Sequence, residues 1–243
     1  MIRSEAHGPH VIVLTIDRHQ RRNALDAEHL HQLDDQLRDA LAGGARSVVI
    51  TGAGTAFSAG ADLDGAYDSE FRSALYATLG SITQAEVPVV AALNGPAIGA
   101  GAQLAIACDL RVGGERAWFA IPTARNGLAV DSWTIRRLAL LTNGSVARNL
   151  LLGAESIDAD DARRMGLLSR DGDLQDAITW AQEIAAMAPL SLSYSKRALD
   201  VLFEAAPYED DLDALFLKCW YSDDVIEGQT ARAERRAPNF VGK

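Results

Sequence analysis

Two segments carry small residues where backbone groups could do chemistry: FSAGADL, Phe57 to Leu63, and NGPAIGAGAQLAIACDLR, Asn94 to Arg111. Each reads as a strand-to-helix turn. Small side chains let a ligand approach backbone N–H groups, and the start of a helix adds partial positive charge. Two such turns converging would aim two donors at one oxygen, which is an oxyanion hole. The plainer account is a pair of tight turns with Ala/Gly helix packing, and spacing alone does not separate the two. Gly52 and Gly54 begin a G-x-G, but the third glycine of a dinucleotide fingerprint would fall at Phe57. A bulky ring there obstructs close helix–strand packing. Cys108 and Cys219 lie far apart in apolar surroundings and read as free thiols of a reducing cytoplasm. No CxxC or HxxxH pair suggests a metal. His7, His10, His19, His29 and His31 are all N-terminal and read as surface residues.

The elements that must position these turns are legible. VIVLTI, Val11 to Ile16, is a strand by its β-branched content. Asp26 caps a helix with Leu30, Leu33, Leu37 and Leu41 on one face, ended by Gly43 and Gly44. SVVIT (Ser47 to Thr51) and PVVAAL (Pro88 to Leu93) are buried strands, with a polar helical stretch between them. A helix rich in Ala and Gly runs from Gly99 to Cys108, and short strands follow around LRVG and AWFAI, where Trp118 and Phe119 read as core. From about Ser132 the pattern turns helical. Asp158 caps a helix through Met165, and amphipathic stretches fill Leu174 to Ala188 and Leu190 to Ala205. The fold class is therefore α/β, with a helical C-terminal region.

Composition narrows the function. The chain has 243 residues, with hydrophobic residues at 48% and charged residues at 23%, so it can form a substantial core and is not disordered. Acids outnumber bases, 33 to 23, for a net charge of -10. That balance excludes an extended nucleic-acid face and disfavours an anionic membrane surface. No apolar run approaches the roughly 18 residues of a membrane span, and no signal peptide is read at MIRSEAHGPH.

FSAGADL, NGPAIGAGAQLAIACD, the spacing to AWFAIP and the tail YSDDVIEGQTARAERRAPNF resemble the enoyl-CoA hydratase/isomerase (crotonase) superfamily over essentially the whole chain. The resemblance implies a spiral of ββα units, with a core over 1–190 and a C-terminal helical region over 191–243, built as one structural unit. It implies a trimer or a dimer of trimers. It also implies a coenzyme A thioester as ligand, with no permanently bound cofactor. By that likeness the backbone N–H groups of Ala61 and Ala100 are the oxyanion donors, Ala100 standing where the family usually has Gly. Two glutamates that move protons in the hydratases align with Gln103 and Thr123. Neither an amide nor an aliphatic hydroxyl titrates usefully near neutral pH. Asp131, eight residues after Thr123, matches a catalytic aspartate of other crotonases and could move a proton or attack as a nucleophile. Equally, it caps the helix Ser132 to Leu141, and the two roles are compatible. Trp133 replaces the small residues of the family and would shape an apolar acyl pocket. Arg18, Arg21 and Arg22 would meet CoA phosphates, or form a solvated loop. Ala59, Ala61 and Asp62 would hold adenine through backbone groups, and Lys196, Arg197 and Lys243 are further phosphate candidates.

The expectation is thus an acyl-CoA-binding protein of fatty acid metabolism without hydratase activity, serving as a carrier or adaptor for other proteins of lipid metabolism. The alternative is an active isomerase, hydratase or thioester hydrolase using Asp131. A scaffold that no longer uses CoA is a third reading, opposed by the small residues at 59–61 and 99–101.

Overall fold

The structure, a computed structural model, describes residues 1–62, 68–203, 216–218 and 220–240. Cys219 and Lys243 lie outside them. Five strands form the main sheet in the order β1 (Ile2–Ala6), β2 (Val11–Ile16), β3 (Ser47–Gly52), β4 (Val89–Leu93) and β6 (Leu110–Gly113). β1 pairs antiparallel with β2, and every other pairing is parallel. A smaller sheet joins β5 (Ala97–Ile98), β7 (Phe119–Ala120) and β8 (Ser156–Ile157). β1 escaped the sequence reading because it is an edge strand: of IRSEA only Ile2 is buried, so no apolar alternation marks it.

β3 and β4 are buried along their whole length, as strands covered on both faces must be. Alternation decides which residue meets which layer. Leu14, Ile16, Val48, Ile50 and Ala91 join the larger core, to which α1 (Ala27–Ala42) contributes Leu30, Leu33 and Leu37 and α2 (Ser69–Gln84) contributes Leu75, Leu79 and Ile82. Val11, Val13, Val49, Val90 and Val112 face the other way and pack on Ala177, Ile178, Ala181 and Ile184 of α7 (Leu174–Ala185).

The remaining helices are α3 (Ala100–Ala107), α4 (Ser132–Leu141), α5 (Gly144–Leu151), α6 (Ala159–Arg164), α8 (Pro189–Asp200) and α9 (Asp223–Ala233). The caps expected at Asp26, Asp131 and Asp158 are formed: each carboxylate accepts a backbone N–H of the first turn. His29 is not a surface residue. It is buried, with Nδ1 2.6 Å from Asp26 Oδ1 and Nε2 2.9 Å from the N-terminal amine. No helix among the described residues is long and apolar enough to cross a membrane.

Candidate active site

The site begins with two close backbone approaches. Gly60 has φ +93, and a Cβ there would stand 2.6 Å from the Ile98 carbonyl oxygen. Gly101 has no room either: its Cβ would lie 2.5 Å from the Ser58 carbonyl oxygen. Only glycine lets the Ser58–Ala61 segment lie against the start of α3. Buried Asn23 and Ser58 hold that segment in place. Asn23 Nδ2 donates to the carbonyls of Ala53 (2.8 Å) and Ala56 (2.7 Å), and Ser58 Oγ donates to the Asn23 carbonyl (2.8 Å).

The outcome is two N–H groups without protein acceptors. Leu25 pairs with this segment through the Gly60 carbonyl and the Asp62 N–H, and skips the Ala61 N–H. Ala100 opens α3, whose cap residue Gly99 has no side chain to bond the first turn. Neither N–H donates to an acceptor among the described residues, and both residues line one cavity of about 400 Å³. One expectation is corrected in form. Ser58 and Ala61 lie in extended chain with bridges to Ala97 and Leu25, so of the two turns only Gly99–Ala100 runs directly into a helix.

Apolar side chains, including Ala24, Phe71, Leu75, Ile98, Leu128 and Val130, form much of the cavity wall. Gln103 and Thr123 both line it, brought together from α3 and from the 3₁₀ turn Thr123–Asn126. Among the described residues lining it there is no glutamate. The carboxylate there, Asp62, is held by Arg18 Nη1 at 2.7 Å, with Arg21 Nη1 at 3.6 Å.

Gln103 belongs to a buried chain of donors. Its Nε2 donates to Thr134 Oγ1 (3.0 Å), whose hydroxyl donates to Asp131 Oδ2 (2.6 Å). Nε2 also lies 3.4 Å from Asp131 Oδ2, and Asp131 Oδ1 accepts the Thr134 backbone N–H at 2.9 Å. A carboxylate accepts only, so Asp131 orients the Gln103 amide with its N–H side inward. Tyr76 also meets Asp131. Burial pushes the Tyr76 hydroxyl well above its ordinary range, and the Asp131 charge adds to the effect.

Other expected residues are distributed differently. Asp131 and Trp133 line a second cleft beside the cavity rather than the cavity itself. Arg18 is taken up by Asp62, by Asp26 at 3.2 Å and by the Ala24 carbonyl. Arg21 lines the cavity together with Ala59, while Arg22 is exposed in a left-handed conformation, φ 50. Lys196 is buried behind α3, donating to the Ile82 and Val87 carbonyls and pairing with Asp109 at 2.9 Å. It is not open to a phosphate. Arg197 lines the second cleft. Sequence reasoning missed Arg72, Tyr76, Trp220 and Arg232, which all line the cavity. Arg72 and Tyr76 stand four apart on α2 beside Leu75, a one-face spacing that could have flagged them.

The fold and these two facing backbone segments agree with the comparisons. Residues 7–243 match the family model described as enoyl-CoA hydratase/isomerase, and the chain belongs to that family. It is 45% identical over 236 residues to the probable enoyl-CoA hydratase echA6 of Mycobacterium tuberculosis, covering 96% of each chain. It is 35% identical over 249 residues to 2,3-dehydroadipyl-CoA hydratase of Escherichia coli, again covering 96% of each. The crystal structure of an enoyl-CoA hydratase/isomerase from Pseudoalteromonas atlantica superposes with a TM-score of 0.86 at 29% identity, covering 99% of each chain.

Proposed function

We propose that the protein binds fatty acyl-CoA thioesters without hydrating them, as a carrier or adaptor of lipid metabolism in the cytoplasm. One observation carries this reading: two unpaired backbone donors meet at a largely apolar cavity whose described lining offers no free carboxylate. The N–H groups of Ala61 and Ala100 would hold the thioester carbonyl oxygen, with the partial charge of the α3 N-terminus behind it. Polarised this way, the carbonyl would make its α-protons more acidic and its β-carbon more electrophilic. Gln103 and Thr123, standing where the family places its glutamates, supply no base to activate water and no acid to protonate the α-carbon. Each such group is worth roughly 10²–10⁴ in rate. The names of the relatives, hydratases of CoA thioesters, support the ligand class.

Arg21, Arg72 and Arg232, all facing the cavity, are the cations available to CoA phosphates. A few local arginines suffice for one such ligand on a chain of net charge -10. Leu190 and Tyr194, largely exposed on α8, support assembly into trimers or pairs of trimers.

The test has two arms. Calorimetry with medium- and long-chain acyl-CoA is expected to show binding, and crotonyl-CoA is expected to be hydrated at the background rate. No binding, or hydration at ordinary family rates, overturns the reading. An active enzyme using Asp131 is the second reading. The carboxylate there accepts two hydrogen bonds from Thr134 and faces the neighbouring cleft, which favours its role as a cap. A panel of acyl-CoA thioesters followed by mass spectrometry separates the two: unchanged ligand supports binding, and a changed one supports catalysis.

A further inference from the structure

Two hollows lie in succession along one face of α2. The cavity of about 400 Å³ is bounded by Phe71, Arg72 and Leu75. A second cleft, about 330 Å³, is bounded by Leu79, Gly80, Thr83 and Gln84 from the same helix, facing Asp131 and Trp133. Tyr76 is the residue common to both among the described residues. Four residues of helix span about 6 Å, so Arg72 and Gly80 stand one turn before and one turn after it. A flexible chain running along α2 from the first hollow toward the second meets the Tyr76 ring.

That ring is fixed at both ends. Its face lies against Phe216, with centroids 6.3 Å apart, and Phe216 in turn packs on Trp220 at 6.1 Å. Its hydroxyl meets Asp131. Beside it, the contact between Gln103 and Asp131 (3.4 Å) closes the other part of the partition: Gln103 faces the first hollow and Asp131 the second. An alkyl chain crossing there would have to displace a ring held by aromatic packing or separate an amide from its carboxylate. Either leaves buried polar groups unpaired, which an alkyl chain cannot repair.

We propose that Tyr76 is a septum that ends the acyl channel, so that the ring sets the longest chain the cavity holds and the cleft beyond is a reserve volume closed to the native ligand. This rests on the acyl-CoA-binding reading and names the residue that sets its chain-length limit. Affinity should rise about fourfold for each methylene buried (about 0.8 kcal/mol), and then flatten where the chain reaches Tyr76.

The experiment is calorimetric titration of the full chain with saturated acyl-CoA thioesters of increasing length. The wild-type protein is expected to show a rise and a plateau. In Tyr76→Ala the rise continues for several more methylenes. In Tyr76→Phe, which keeps the ring, the plateau returns to its original length. Tyr76→Ala combined with Gly80→Leu refills the second cleft and restores the early plateau; a Cβ at Gly80 has room, since its nearest neighbour is the Gln84 amide at 3.7 Å. Circular dichroism verifies folding, and Tyr76→Leu takes the place of Tyr76→Ala if that variant does not fold. A plateau that stays put when the ring is removed, with wild-type binding intact, overturns the septum alone. A wild-type protein that binds no acyl-CoA of any length overturns the parent reading, and the septum with it.

Discussion

The two ends of α3 are finished in opposite ways. At the N-terminal end, Gly99 offers no side-chain cap and the Ala100 N–H is left without an acceptor at the cavity. At the C-terminal end, two buried guanidiniums converge on the last carbonyls. Arg111 donates to Ala105, Cys108 and Asp109, and also to Leu167 at 2.6 Å. Arg137 comes across from α4 to Ile106, Ala107 and Cys108, and is itself held by Asp200 at 2.7 Å. A helix always leaves orphan donors at its start and orphan acceptors at its end. Here the acceptors are satisfied internally by cations, which also suit the negative end of the dipole. The donors are kept for something else. The difference teaches that this helix is anchored from behind so that its front can stay unsatisfied.

The largest way to break that comparison is to remove the anchor. Arg137→Leu strips several carbonyls of a donor and leaves the Asp200 carboxylate without its cation. Breaking such a buried pair typically costs about 3–5 kcal/mol. In a chain of this size that is a fall in Tm of about 6–20 °C, to be read by differential scanning calorimetry. A change under about 2 °C would mean that α3 does not depend on its C-terminal cations.

The front of the helix is tested by Gly101→Ala. The added methyl meets the Ser58 carbonyl and must push the Ala61 segment away from α3. Overpacking of this kind costs about 1–3 kcal/mol. Acyl-CoA affinity should fall about 5- to 10-fold as one of two donors loses its aim. An unchanged Kd would separate the two backbone segments functionally.

α4 sharpens the contrast, because its N-terminus is capped by Asp131 where that of α3 is open. Asp131→Ala should cost about 1 kcal/mol in a urea titration, and Asp131→Asn much less, because Asn caps about as well. If Asp131→Asn instead abolishes a turnover of any acyl-CoA, the residue is catalytic as well as structural.

The smallest effect concerns Cys108, which closes the anchored end. Burial first, and the nearby Asp109 charge second, push its thiol from an ordinary 9.0 up to about 12. A raised native value means that the stability contribution is complete below the unfolded value and lost as pH rises toward the folded one. Between pH 9 and 12 the unfolded thiol gives up its proton and the native one keeps it. The wild type should therefore lose stability relative to Cys108→Ala, by about 0.4 kcal/mol at pH 9 and then by up to about 1.4 kcal/mol per pH unit. Equal pH slopes for the two proteins would place the thiol in contact with water.

Much of this was legible in the residues. The Asp26, Asp131 and Asp158 caps follow from an acidic residue immediately before an amphipathic run, a local rule that tertiary contacts did not alter. Buried strands such as SVVIT announce themselves by unbroken apolar content. Local rules fail where long-range partners decide. The burial of Lys196 depends on Asp109 and on the ends of α2 and β4. His29 is buried because the amine of residue 1 folds back onto it. Arg18 looks like one of a basic cluster until Asp62 is brought beside it.

By itself, then, the sequence determined the α/β class, the helix starts and the two small-residue segments, because each depends on residues within a few positions of one another. It also placed Gln103 and Thr123 as the neutral residues of interest. The tertiary structure decided that the N–H groups of Ala61 and Ala100 share one cavity and that Asp131 and Trp133 belong to the next. It also decided that Tyr76 stands between the two. The reason is physical: which face of α2 meets α3 and α4 is set by packing between elements far apart in the chain, and no local pattern encodes it.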